Sequence, residues 1–195
     1  MKYIATLFAA LVLAAGMPAR AAGIQTAGID HVGINVPDLK QAEQFFGDAF
    51  GCVPVTRIGP FDLRAMKSDK GLAGALSADS LSIAMLRCGD GANIELLEYR
   101  HANGDSAMPR VDAVGAAHIA FYTDDVKAGA AYLKSRGIAL LGEPVTMGGG
   151  DTEGETWVHF LTPWGADMEL VGYPNGKGYE KNARVKLWKP RHPAN

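Results

Sequence analysis

The chain has 195 residues, with 19 Lys and Arg against 21 Asp and Glu and a net charge of −2. It contains no basic run, which excludes nucleic acid and anionic membrane as partners on electrostatic grounds. A hydrophobic content of 48% is ample for a packed core and excludes a disordered chain.

The N-terminus reads as a leader. MKYIATLFAALVLAAGMPARA opens with Lys2, runs through an apolar stretch from Tyr3 to Met17 and ends in Ala19-Arg20-Ala21. A short apolar run that ends in small residues marks a secretory signal peptide, cleaved after Ala21. The run falls short of the about 20 residues a membrane span needs. The expectation is a periplasmic or secreted protein that loses residues 1–21 and has no membrane contact afterwards. Cys52 and Cys88 then have two readings, a disulfide in an oxidising compartment or two small buried thiols.

From residue 28 the text is GIDHVGINVPDLKQAEQFFGDAFGC. Ile29, Val32, Ile34 and Val36 predict a short strand that Pro37 ends. Asp38 is a good N-cap, and Leu39, Ala42, Phe45, Phe46, Ala49 and Phe50 recur at helical spacing. Gly51 closes the helix. VPVTRI, SLSIAMLRC and NIELLEY follow as strands, the last two joined by the turn GDGA. Residues 28–100 therefore form a βαβββ unit.

Residues 113–173 repeat that order. AAHIAFYT predicts a strand, DVKAGAAYLKSRG a helix ending at Gly137, and IALLGEPVTM, ETWVHFLT and DMELVGY three more strands. GANIELLEY, Gly91 to Tyr99, returns as GADMELVGY, Gly165 to Tyr173, with a Glu at the same place in each. His31 and His118 stand at matching places in the two first strands. The first copy has extra length in GPFDLRAMKSDKGLAGALSADS, which reads as a mobile loop. Residues 174–195 form a polar tail in which Trp188 and two prolines point to docking on the body.

Neutral imidazoles and carboxylates bind borderline divalent ions such as Zn, Ni, Co, Mn or Fe. His31 and Glu95 in one copy and His118 and Glu169 in the other are the candidate ligands. Residues two apart on a strand share a face, so Gly33 and Ala120 leave room beside each His. Glu98 competes with Glu95 but falls on the opposite face, and Gly172 replaces it in the second copy. His159 lies on the strand next to Glu169, where its counterpart is Met85. An imidazole there is a candidate general acid or base. Arg57 and Arg64 border the first-copy loop, either meeting an anionic group or lying solvated.

HVGINVPDL with NIELLEY, and HIAFYTDDV with TPWGADMELV, resemble the two modules of the vicinal-oxygen-chelate superfamily, the glyoxalase I fold. The resemblance spans about residues 28–173. It implies an α+β fold of two tandem βαβββ modules that form a cup-shaped mixed sheet around one divalent metal ion, ligated by His31, Glu95, His118 and Glu169. The ligand set is similar to that of bacterial glyoxalase I, and methylmalonyl-CoA epimerases commonly carry Gln in place of Glu95. The glutathione-holding Arg and Asn of glyoxalase I are replaced by Asn35 and Tyr99, so that substrate does not carry over.

The resemblance implies a metal-dependent isomerase or lyase acting on a small molecule with adjacent oxygens through an enolate. Glu169 is the base, and His159 is a second acid–base group. An Fe(II) dioxygenase would take two His and one Glu, so Glu95 counts against it. A metal-free binding protein of the bleomycin-resistance type lacks the ligand set that this chain retains. Whether the halves pair within one chain or across a homodimer stays open at this level.

Overall fold

The computed structural model describes residue 26 and residues 28–66, 76–102, 108–185 and 187–189. The expected signal peptide and part of the first-copy loop lie outside the described residues. The first unit comprises β1 (His31–Asn35), α1 (Leu39–Phe50), β2 (Val53–Asp62), the short α2 (Leu63–Met66), β3 (Ser80–Arg87) and β4 (Asn93–Arg100). The second comprises β5 (Ile119–Tyr122), α3 (Val126–Ser135), β6 (Val145–Thr146), β7 (Thr156–Leu161) and β8 (Asp167–Gly172). Each unit makes one four-stranded mixed sheet, in the orders β1-β4-β3-β2 and β5-β8-β7-β6. The two-module α+β architecture expected from the repeat is therefore present.

Local signals act where the residues place them. Asp38 caps α1 by accepting a hydrogen bond from the Gln41 amide at 2.8 Å, and Gly51 ends it in a left-handed turn at φ 66°. A second free amide of the first helical turn, that of Leu39, donates to the buried Glu98 carboxylate at 2.8 Å. Glu98 thus serves the helix side of its sheet and also pairs with Arg100.

Three strand boundaries depart from the sequence pattern. β2 continues past VPVTRI to Asp62, and its register shifts between Ile58 and Phe61, where the Gly59–Pro60 bond sits. As an edge strand it tolerates a residue that cannot donate to a ladder. β5 starts at Ile119, one residue after His118. IALLGEPVTM does not form a full strand. Only the Leu140–Phe160 bridge and β6 pair with β7, because Gly142 at φ 112° and Pro144 interrupt the ladder.

The core is single. Ile94, Leu96, Ala84 and Leu86 of the first sheet and Val158, Phe160, Met168 and Leu170 of the second belong to one cluster with Ala42, Phe45 and Phe46 of α1 and Val126, Ala130 and Leu133 of α3. Phe50 links the units: its ring stacks on Phe121 of β5 at 4.0 Å and on Phe160 of β7 at 5.7 Å. Phe45 meets Trp164 edge-on at 5.5 Å. The two helices touch as well, through the Tyr132 hydroxyl donating to the Asp48 carbonyl at 2.8 Å. The two sheets thus turn their helix-bearing faces toward each other across α1 and α3.

Cys52 and Cys88 are joined in a disulfide, which selects the first of the two readings left open by sequence. The pair flanks the Val53–Arg87 end of the β2–β3 ladder. The tail makes a 3-10 turn over Gly178–Lys181 and carries Trp188 to the β3–β4 turn, where its ring lies 3.6 Å from the place a Gly91 Cβ would occupy. The bridge closes a loop with a sequence separation of 36. Converting both cysteines to serine is expected to lower stability by about 3–4 kcal/mol through the freed unfolded chain. An unchanged urea midpoint would contradict this expectation.

Candidate functional site

Alternation along the strands sorts the side chains into two sets. In β4, Ile94, Leu96 and Glu98 are buried while Asn93, Glu95, Leu97 and Tyr99 are partly open. In β8, Met168, Leu170 and Gly172 are buried while Asp167, Glu169 and Val171 are partly open. Glu95 and Glu169 therefore point away from the helices. A Cβ at Gly33 would come within 3.4 Å of the Glu95 Oε2, so the small residue beside His31 gives the carboxylate its room.

The structure brings the four sequence candidates together as two pairs. His31 Nε2 lies 3.4 Å from Glu95 Oε2, and His118 Nε2 lies 3.1 Å from Glu169 Oε2. Two donors about 2.1 Å from one ion stand about 3.0–3.4 Å apart at ordinary coordination angles. Each pair therefore fits a divalent ion as two neighbouring ligands, and imidazole with carboxylate is donor chemistry that such ions accept. The two pairs do not meet. Among the described residues the only group of three candidate ligands gathered within 4.8 Å is His118, His159 and Asp167.

The halves differ in what surrounds the pair. In the second, His159 stands opposite Glu169 in the β7–β8 ladder, and its Nδ1 is 3.0 Å from both Asp167 oxygens. Its ring also meets His118 at 4.9 Å and Trp157 at 5.7 Å, both edge-on. The same carboxylate lies 4.0 Å from His118 Nδ1. With Nδ1 facing Asp167, the Nε2 of His159 is the nitrogen left to meet a ligand. In the first half Met85 stands opposite Glu95, so no imidazole is offered there.

Farther along the second face, Tyr122 and Tyr173 meet edge-on at 5.0 Å. Burial first, and then the hydrogen bond its hydroxyl donates to Asp124 at 2.7 Å, push the Tyr122 pKa up to about 12. Burial also raises that of Tyr173. The Lys177 ammonium lies 4.2 Å over the Tyr173 ring and pairs with Glu155 at 2.9 Å. Burial opposes the Lys177 charge, but Glu155, together with Tyr179 and Tyr173, outweighs it and holds the pKa above the usual lysine range.

Two carboxylates were not singled out from sequence. Asp167 shares a strand face with Glu169, and its acidity at a position where the first copy has Asn93 was the available signal. Asp30 accepts from His31 Nδ1 at 2.8 Å, leaving Nε2 toward Glu95, as a carboxylate behind a metal-binding imidazole does. Arg57 and Arg64 do not reach the candidate site. Arg57 makes a bidentate pair with Glu43 at 2.7 and 2.5 Å, and Arg64 pairs with Asp62 at 3.2 Å. A cleft of about 450 Å³ lined by Gly150, Glu153, Tyr179 and Asn182, and a smaller one beside α3, contain none of the ligand candidates.

The comparisons with known proteins agree with the two-module fold. The family model described as the Glyoxalase/Bleomycin resistance protein/Dioxygenase superfamily matches residues 30–154. A 2-epi-5-epi-valiolone epimerase from an Actinomyces species is 35% identical over 166 residues, covering 83% of this chain and 88% of the relative. A glyoxalase family protein of Bacillus cereus superposes with a TM-score of 0.61 at 22% identity, over 78% of this chain and 98% of that one. The glyoxalase I of Leishmania major gives 0.51 at 16% identity, over 76% and 88%. The two structural likenesses speak for the fold alone.

The Asp30 hydrogen bond, against the opposing effect of burial and with smaller help from the Glu95 charge, raises the His31 pKa above 6.5. In chelator-treated protein, Asp30→Asn is expected to move the His31 midpoint down toward the ordinary value. Proton NMR titration of the ring Cε1–H reads this, and an unmoved midpoint would contradict it.

Proposed function

Because this chain belongs to the Glyoxalase/Bleomycin resistance protein/Dioxygenase superfamily, we propose that it is an isomerase-type enzyme that epimerises a carbon beside the carbonyl of a small hydroxylated ring ketone. The observation that carries this reading is the 35% identity to a 2-epi-5-epi-valiolone epimerase across 83% of the chain. Epimerisation needs no oxidant. One C–H bond breaks, its electron pair moves into an enolate, and a new C–H bond forms on the opposite face of the same carbon.

The residues supply what such a reaction asks for. Glu169 takes the proton on its Oε. His159, steadied through Nδ1 by Asp167, acts as the acid–base partner at its Nε2. Glu95, from the first unit of a second copy, returns a proton to the opposite face. The aromatic side chains of Tyr122, Tyr173 and Trp157 form a floor on which a ring can lie. A divalent ion held by His31 and Glu95 of one copy with His118 and Glu169 of a second, the homodimer reading that the sequence leaves open, would polarise the carbonyl and raise the acidity of the neighbouring C–H. Of the two activities implied by the resemblance, isomerase is favoured over lyase by the epimerase relative. Export after removal of residues 1–21 is part of the same proposal, and the Cys52–Cys88 disulfide supports it.

The test is to incubate metal-loaded protein with 2-epi-5-epi-valiolone in D2O and follow deuterium entry beside the carbonyl by proton NMR. Wild type is expected to exchange and epimerise. Glu169→Gln is expected to slow both by about 10²–10⁴-fold, the usual scale for loss of a general base. Removal of the ion by chelation should abolish exchange, and its return should restore it. If loaded wild type neither exchanges nor epimerises this ketone, the assignment of substrate and reaction falls.

A further inference from the structure

The sheet face that bears His159 and Glu169 continues past the last pair of the β7–β8 ladder. Along β7 it carries Trp157 and His159, and along β8 Asp167, Glu169 and Val171. One step beyond the final pair, Thr156 with Gly172, the alternation puts Glu155 and Tyr173 across from each other on that same face. Four residues at about 3.3 Å each set Tyr173 about 13 Å along the strand from Glu169. Trp157 and Val171, themselves a ladder pair, lie between and leave the width of one small ring.

The tail closes this end of the face. Gly176, at φ 82°, turns the chain back, and its amide donates to the Tyr173 carbonyl at 2.8 Å. The amides of Gly178 and Tyr179 then donate to the carbonyls of Glu153 and Asp151 at 3.0 and 2.7 Å. A side chain at Gly178 would collide with the Gly150 carbonyl, so glycine is what permits this approach. Fixed between these bonds, Lys177 holds its ammonium 4.2 Å over the Tyr173 ring, 5.9 Å from that of Tyr179 and 2.9 Å from Glu155. Lys177 and Glu155 are mostly buried, at 16% and 13% exposure. Lys189 approaches the same Tyr173 ring at 5.7 Å and pairs with Glu180. All of these residues lie beyond residues 30–154, the stretch that the family model matches.

Holding the tail in place does not call for such a group. The backbone bonds of Gly178 and Tyr179 already do so, and a mostly buried ion pair carries a desolvation cost that apolar packing would avoid. Its charge balance says what it can receive. Two ammonium groups are matched by two carboxylates, so no surplus positive charge is left for an anion, which would also meet Glu155 and Glu180 at close range. A neutral hydroxyl both donates and accepts. It can accept from Lys177 and donate to Glu155, while the C–H surface of a ring rests on the aromatic side chains beside them.

We propose that Lys177 and Glu155 are specificity-determining residues: they bind the hydroxyl groups of a neutral polyhydroxylated ring at the end remote from its carbonyl, and their paired charges reject phosphorylated forms of that ring. This rests on the ring-ketone reading above and narrows its substrate class.

The test uses probes that cannot react: the cyclitol made by reducing the carbonyl of 2-epi-5-epi-valiolone, and a monophosphate ester of that cyclitol. Binding to metal-loaded protein is measured by titration calorimetry. Wild type is expected to bind the cyclitol more tightly than the monophosphate by about tenfold or more, since like charges brought together disfavour the wrong partner. Lys177→Met is expected to weaken cyclitol binding about tenfold, the scale of one hydrogen bond to a charged group. Glu155→Gln leaves the ammonium unmatched and is expected to reverse the order, so that the monophosphate binds more tightly than the cyclitol. A loosened tail would weaken both probes alike and does not produce that reversal.

A wild type that prefers the monophosphate or binds neither probe would overturn the proposal. So would a Lys177→Met protein with unchanged cyclitol binding, or a Glu155→Gln protein that keeps the wild-type order. Selective cyclitol binding without deuterium exchange into the parent ketone would instead remove the reaction assigned above and leave the recognition standing.

Discussion

The contact on which the rest of this molecule depends is the insertion of the α1 aromatic side chains between the two units. Phe50 stacks on Phe121 and Phe160, and Phe45 and Phe46 reach Trp164. Fully burying a side chain of this size is worth about 1.5–3 kcal/mol, and edge-on or stacked ring pairs add about 0.5–1.5 kcal/mol each. Several such contacts far outweigh a surface ion pair such as Arg136 with Asp48, for which about 0–1 kcal/mol is usual. The packing of helix side against helix side is therefore set by apolar burial, with polar contacts between α1 and α3 as adjuncts.

The consequence for chemistry is geometric. A strand has two faces, and each residue between the inner and outer strands of a sheet must serve one of them. Once the helix face of each sheet is committed to the shared core, the opposite faces are free for His, Glu and Asp. That division explains the different fates of Glu95 and Glu98, three positions apart on β4. Glu98 is buried, paired with Arg100 and bonded to the first turn of α1. Glu95 stays partly open beside His31.

Duplication left two similar faces that have since diverged. Met85 against His159 and Asn93 against Asp167 are the decisive differences, since they place a hydrogen-bonded imidazole in one half and an aliphatic side chain in the other. One face therefore presents His159, Asp167, Tyr122 and Tyr173, and the other presents Ile58, Ile83, Met85 and Leu97.

Much of this was legible in the amino-acid order because it is local. The period of two in NIELLEY and DMELVGY, the helical spacing from Leu39 to Phe50 and the caps Asp38 and Gly51 each act over a few residues. They determine two βαβββ units and pair a His with a Glu in each. Where backbone chemistry competed with that pattern, as at Gly142 and Pro144 or at Gly59–Pro60, strand limits moved. Asp30 and Asp167 escaped notice because their role depends on a neighbour one strand away or on a ring orientation.

What the sequence could not determine is how the units face each other. Both helices and both sheets carry apolar faces, and nothing in their periodicity says which will meet. That choice was made by nonlocal packing of the α1 rings Phe45, Phe46 and Phe50 against Phe121, Phe160 and Trp164, which lie far along the chain from α1. It keeps the His31–Glu95 and His118–Glu169 pairs apart, so the tertiary structure, and not the repeat, decides that the two pairs do not converge within one chain.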